Sequence, residues 1–298
     1  LLTRELPDIA SGINTETPSN LQWVGMDDIA VPISIRMQDG STQSLVAKSN
    51  VYVSLDKSDA KGIHMSRLHA QVNQLAALEC NRESIDRLLA ETVSSQQGIS
   101  EQARIDLAFD LLLKKPALLS DESGYQAYPV KIIAEKTPQG FDYKLELVVT
   151  YSSTCPCSES LSRQLYAEAI DQAFNSEKID KTQLLEWIQS PAGSVATPHS
   201  QRSHAYIHLS LNDGAWPDIA SLIFEFEKVI STPVQTAVKR VDEQEFARLN
   251  ATNLMFCEDA ARRFKNSLEQ MTFIRDYWCK VEHKESLHAH NAVAIVSK

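Results

Sequence analysis

Residues Phe141-Asp142-Tyr143-Lys144-Leu145-Glu146-Leu147-Val148-Val149-Thr150-Tyr151 read as a strand, being rich in aromatic and branched side chains. The next residues, Ser152-Ser153-Thr154-Cys155-Pro156-Cys157-Ser158, put the densest cluster of reactive groups in the chain just where that strand ends. Upstream, a short Pro138-Gln139-Gly140 turn joins it to another strand, Tyr128 to Glu135. Farther back, Ile29 to Met37 and Ser44 to Leu55 alternate around Asp39-Gly40, a hairpin signal. Between these strand pairs, Ser66 to Cys80 puts Leu68, Val72, Leu75 and Leu78 on one helical stripe, and Ser100 to Leu113 does the same with Ile105, Ala108, Phe109 and Leu112.

Downstream, Ser158 to about Trp187 is helical, Ser190 to Pro198 is a loop, and His204 to Leu211 is a strand. Two amphipathic helices follow, Trp216 to Ile230 and Leu254 to Gln270, then strands through Phe273 to Val281 and Ala292 to Val296. The order is strands, two helices, strands, used twice. It predicts an α+β fold, an antiparallel sheet with helices on one face. The expected division is a mobile leader over 1–20, a first unit over 21–140, and a second over 141–298 carrying a helical insertion at about 158–197.

Net charge is −10 over 298 residues, so a long polyanion meets a repulsive field and nucleic-acid binding is not expected. A small anion can still bind where Arg, Lys and His gather. No stretch approaches the roughly 20 apolar residues of a membrane span, and the start, LLTRELPDIA, lacks the pattern of an export signal, so the expected compartment is the cytoplasm. The five cysteines, an odd number, argue against a disulfide framework and leave the thiols for packing, metal or catalysis.

A C-x-C pair without a second pair builds no closed four-cysteine site, and by itself Cys155-Pro156-Cys157 suits space-filling as well as a thiolate ligand. Pro198-His199-Ser200-Gln201-Arg202-Ser203-His204 brings imidazole, amide and guanidinium into one loop entering a strand. Glu282 to His290 holds Glu285, His288 and His290 between the last two strands, where a polar hairpin tip is the plainer alternative. Glu258 heads a long helix, a place the helix dipole favours for an acid without any function, and Glu243 follows Lys239-Arg240-Val241-Asp242. Gly62-Ile63-His64-Met65-Ser66-Arg67 surrounds a helix N-terminus with His, Ser and Arg, a possible seat for phosphate.

Taken together and in this order, these clusters resemble the type IB GTP cyclohydrolase I family from about Leu21 onward. The resemblance implies a tunnelling fold of two tandem ββααββ-like units, assembled as a homotetramer with active sites between subunits. It implies one divalent ion per site, Zn2+ or Mn2+, on Cys155, His199 and Glu243, a mixed ligand set with a position left open. It further implies hydrolysis of GTP to 7,8-dihydroneopterin triphosphate and formate; charge and hydropathy add the expectation of no nucleic-acid or membrane partner. His288 then moves protons, Glu285 assists it, Glu258 holds the guanine edge, and His64, Arg67, Gln201, Arg202 and Lys239 contact the nucleotide. The segment from Ser158 to Trp187 lengthens the connection between Cys155 and His199, and the tail reads His288-Ala289-His290-Asn291 where the family pattern has Pro and Asp. The rivals are an NADPH-dependent nitrile reductase on the same fold, with Cys155 or Cys157 as nucleophile, and a non-catalytic purine- or metal-binding protein.

Overall fold

The computed structural model describes residues 15–298. Most of the expected leader therefore lies outside the described residues, while the backbone N–H groups of Thr15 and Ser19 donate to the carbonyls of Asp59 and Ser58, each at 3.1 Å. One sheet of eight antiparallel strands organises everything else, its strands adjacent in chain order. They are β1 (Leu21–Arg36), β2 (Thr42–Leu55), β3 (Ala103–Pro116), β4 (Ser123–Thr137), β5 (Gly140–Thr154), β6 (Ser200–Leu211), β7 (Ile274–His283) and β8 (Ala292–Ser297). The helices are α1 (Met65–Asn73), α2 (Arg82–Ser95), α3 (Pro156–Ala173), α4 (Lys181–Gln189), α5 (Ile219–Ile230), α6 (Arg240–Thr252) and α7 (Cys257–Gln270).

Alternation along the strands explains the layering. On β5, Tyr143, Leu145, Leu147, Val149 and Tyr151 are buried; on β6, Ala205, Ile207 and Leu209 are, and on β7, Tyr277, Cys279 and Val281. With a period of two, all of these point to one face, and α1, α2, α5 and α7 cover it. The other face carries charge, as in Arg104–Asp106–Lys131, where both cations reach the nearly buried Asp106 within 3.1 Å and hold its carboxyl below the usual range against the opposing cost of burial. The fold class expected from the sequence is the one found.

Ser100 to Leu113 is not a helix. It forms most of β3, with Ala103, Ile105, Leu107, Phe109, Leu111 and Leu113 buried. Ala108 and Leu112, which complete the helical stripe, lie on the opposite face, and Leu112 is exposed. The second helix of the first unit is instead α2, started by a capping box in which Ser84 N–H donates to Asn81 Oδ1 and Asn81 N–H donates to Ser84 Oγ. The helical stretch after Cys157 is two helices, α3 and α4, and α6 lies where no helix is expected.

A buried polar clamp ties α5 to the first unit. The Lys115 ammonium sits 2.5 Å from Glu227 Oε1, and the Tyr128 hydroxyl donates to the same oxygen at 2.6 Å. Burial holds Lys115 below its ordinary range while the Glu227 charge opposes that shift. Removing one partner would leave the other charge buried and alone, a loss of about 3–5 kcal/mol.

Candidate active site

The register of two strands builds the centre of the site. On β5 and β6, Tyr151 pairs with Ser203 and Thr154 with Ser200, so the next step brings Cys155 opposite His199. The Cys155 N–H donates to the His199 carbonyl at 3.2 Å, and the His199 N–H donates to Ser158 Oγ at 3.1 Å. Cys155 caps α3 and Pro156 occupies its first turn, where a fixed φ and a missing N–H cost the helix nothing. The Cys-Pro-Cys-Ser motif thus fastens both sides of the His199 backbone.

Gln201 sets the imidazole. Its side-chain Nε2 donates to Ser153 Oγ at 2.6 Å, which turns Oε1 toward His199 Nδ1 at 3.0 Å. That acceptor calls for the proton on Nδ1 and leaves Nε2 as a lone pair, the arrangement metal-ligating histidines use. Glu285 stands on the same side, its Oε2 3.8 Å from Nδ1. Gln201 itself is only 9% exposed with both amide ends engaged inside the fold, so it orients His199 rather than offering a free contact to a nucleotide.

Two further segments close on this end of the sheet. Met255 N–H donates to the Thr154 carbonyl at 3.2 Å, so the start of α7 abuts β5 one residue before Cys155. Glu258 in its first turn is exposed; the N–H of Glu258 itself, and then the Cys257 thiol at 3.3 Å, hold its carboxyl below the usual range. The same contact, added to burial, pushes the Cys257 thiol up to about 11, which makes it a donor and not a nucleophile. The 284–291 segment reaches back through Lys284 N–H to the Arg202 carbonyl and Ser286 Oγ to the Ser200 carbonyl, each at 3.4 Å. His288 and His290 are exposed on it, rings stacked 5.0 Å apart. Beneath, buried His283 meets the Tyr151 hydroxyl at 3.0 Å, and burial pushes it down to about 4.

Cys155, His199, Gln201, Glu258 and Glu285 are thus gathered at one end of the sheet, with Arg202 exposed beside them. The others stand apart. His64 is bracketed by Gln96, which accepts from its N–H at 2.9 Å and donates to its carbonyl at 3.0 Å, and Arg67 reaches the Ser95 carbonyl. Lys239 Nζ pairs with Glu122 at 3.0 Å. Glu243 is exposed in the first turn of α6. Among the described residues, no three His, Cys, Asp or Glu side chains converge as a ready metal site. A neighbouring thiol and imidazole with a free Nε2 suit a divalent ion, and a third donor has to be brought to them. Sequence reasoning passes over Ser153, which accepts from Gln201 and so holds that amide toward His199, because a polar residue in mid-strand carries no signal of its own.

The sequence matches the family described as type I GTP cyclohydrolase FolE2 over residues 6–294. It is 57% identical over 297 residues to a protein of Hahella chejuensis described as GTP cyclohydrolase FolE2, covering 100% of this chain and 97% of that one. A protein of the same description from Pseudoalteromonas atlantica is 54% identical over 291 residues, covering 97% and 95%. The stretch holding α3 and α4 therefore has a counterpart in the Hahella protein. A crystal structure of a hyper-thermostable uricase mutant superposes with a TM-score of 0.53 at 8% identity, over 93% of this chain and 91% of that one, a likeness of fold alone.

Proposed function

The chain belongs to the type I GTP cyclohydrolase FolE2 family, and from that membership we infer that it hydrolyses GTP to 7,8-dihydroneopterin triphosphate and formate, opening pterin and folate synthesis. The observation that carries the reading within the molecule is the Cys155–His199 pairing, with Gln201 leaving His199 Nε2 free. Cys155, His199 and Glu243 would hold one Zn2+ or Mn2+, a mixed set that does not choose between the two. When bound, such an ion supplies Lewis-acid chemistry and lowers the pKa of water from 15.7 toward about 7.

The residues of the chain then have separate tasks. Glu258, kept as a carboxylate, accepts from the guanine ring N–H and amino group, a two-point match. Each of the two C8–N cleavages leaves a purine nitrogen, N7 or N9, that must take up a proton. His288 delivers it, since an imidazole can serve as both acid and base. Glu285 stands in the same segment and assists. The triphosphate goes to His64, Arg67, Arg202 and Lys239, whose N–H groups can donate to its oxygens.

The site is complete in a homotetramer. Two observations support this: His64 and Arg67 make their hydrogen bonds at α2, apart from Cys155, and the edge strands β1 and β8 leave backbone groups that another copy can pair. The cytoplasm is the compartment for such chemistry, and among the described residues no helix is long and apolar enough to cross a membrane. Incubating the metal-loaded protein with GTP, then measuring formate and pterin fluorescence after oxidation, tests the reading. Formate and a fluorescent pterin in equal amounts support it, and intact GTP refutes it.

A further inference from the structure

Two acids stand side by side at the start of α7, and the fold uses only one of them. Asp259 completes the helix start: its Oδ2 accepts from the Phe256 N–H and its Oδ1 pairs with Arg262, each at 3.0 Å. Glu258 does neither. Among the described residues, the Cys257 thiol is the one side chain that hydrogen-bonds to it, Sγ lying 3.3 Å from Oε2. Glu258 is otherwise exposed at the Cys155 end of β5, where the Met255 N–H ties the helix start to the Thr154 carbonyl.

Cys257 is itself held firmly. It is buried and opens the apolar stripe of α7, which continues through Ala260, Ala261, Phe264 and Leu268 at helical spacing. Phe264 in turn packs against the rings of Tyr151 and Phe226, with 6.4 and 6.0 Å between centroids. Burial, and then the Glu258 contact, raise the Cys257 thiol, so it keeps its proton at neutral pH and meets Glu258 as a donor. The last torsion of an exposed glutamate is a broad two-fold rotor, and ordering it on a ligand costs entropy. A donor fixed in the core and aimed at one carboxylate oxygen sets that rotation before a ligand arrives.

We propose that Cys257 is a positioning residue for substrate recognition: its thiol fixes the plane of the Glu258 carboxylate, so that both oxygens meet the ring N–H and the amino group of a guanine together. The proposal rests on the reading of Glu258 as the guanine-binding residue. Cys257 touches neither the base nor the reacting atoms, yet it makes the preference for a purine with a 2-amino group depend on a buried thiol. The contact needs no bound ion.

Equilibrium binding of GTP and of inosine triphosphate, which lacks the 2-amino group, to the metal-free full-length protein tests this without turnover. Wild-type protein should prefer GTP by at least about tenfold, the worth of one hydrogen bond to a charged acceptor. Cys257→Ala should weaken GTP binding by about three- to tenfold and inosine triphosphate binding by less, narrowing the preference. Cys257→Ser, which keeps a donor, should restore it. Cys257→Val, apolar and larger, should behave as Cys257→Ala does, so the result does not hang on the folding of one variant, which circular dichroism and Tm report. In a Glu258→Ala background, Cys257→Ala should change nothing further. Equal losses for the two nucleotides in Cys257→Ala and Cys257→Val, or a preference that Cys257→Ser fails to restore, would overturn the proposal and leave Cys257 a packing residue. Unchanged GTP affinity in Cys257→Ala and Cys257→Val would overturn it as well. In each of these cases weak GTP binding by Glu258→Ala would spare the reading of Glu258. Full GTP affinity in Glu258→Ala, or no preference for GTP in the wild type, would overturn that reading and the proposal with it.

Discussion

The two halves of the proposed metal site are built by different physics. Cys155 and His199 are brought together by the register of β5 and β6, which eleven consecutive pairs fix and which a one-residue slip would invert face by face. Glu243 is carried on a helix that buries one side chain, Asp242, which accepts from Leu119 and Ser120, while Asn250 near the other end accepts from Ser152. Sheet register delivers geometry to the site as a by-product of folding, whereas the helix that carries Glu243 has almost no apolar packing to fix it. The two halves should therefore respond differently to mutation.

The largest expected effect falls on the sheet-borne half. Cys155→Ala should lose both turnover and bound metal, the second measured by elemental analysis; full turnover in this variant would break the assignment. Next comes Glu258→Ala, which should lower kcat/KM by at least about a hundredfold through two lost hydrogen bonds to a charged acceptor. Its metal content should stay at the wild-type level, separating the guanine-binding role from the ligand role. Smaller is Gln201→Leu, which frees the His199 tautomer and should weaken metal binding by about 10- to 100-fold while GTP binding to the metal-free protein stays unchanged. A loss confined to GTP binding would instead make Gln201 a substrate contact.

The remaining effect is on stability and leaves the site untouched. His283 has a folded pKa of about 4, below its ordinary value of 6.5, because it is buried. As pH falls below 6.5 the unfolded chain takes up the proton first. Stability is therefore full above that pH and declines toward pH 4 at up to about 1.4 kcal/mol per unit. His283→Gln should flatten the decline, measured by denaturant unfolding between pH 7 and 4.5. An unchanged slope would mean that the ring is protonated in the fold.

The difference between the halves also governs what the sequence discloses. Cys155 and His199 stand in dense motifs at strand ends, and strands announce themselves by alternation, so their position is legible. Helix α6 is not, since Val241, Phe246 and Leu249 are too few to form a stripe and its one buried residue is an aspartate. The β3 segment misleads for the opposite reason. Ala108 and Leu112 add apolar residues on the open face of the sheet and make a period of two look like a period of 3.6. The true second helix carries Ile85, Leu88 and Leu89 behind the Asn81 cap, a legible signal that the longer apolar run after Ser100 overshadows. Gln201 shows the remaining limit: its residue type suits a nucleotide as well as an imidazole, and only the distances to Ser153 and His199 separate the two.

X-ray absorption at the zinc edge of the zinc-loaded protein reads the Cys155 ligand itself. The first shell should hold one sulfur at about 2.3 Å and nitrogen and oxygen donors at about 2.0–2.2 Å, the sulfur vanishing in Cys155→Ser. A shell without sulfur, or one with two sulfurs that enlists Cys157, would contradict it.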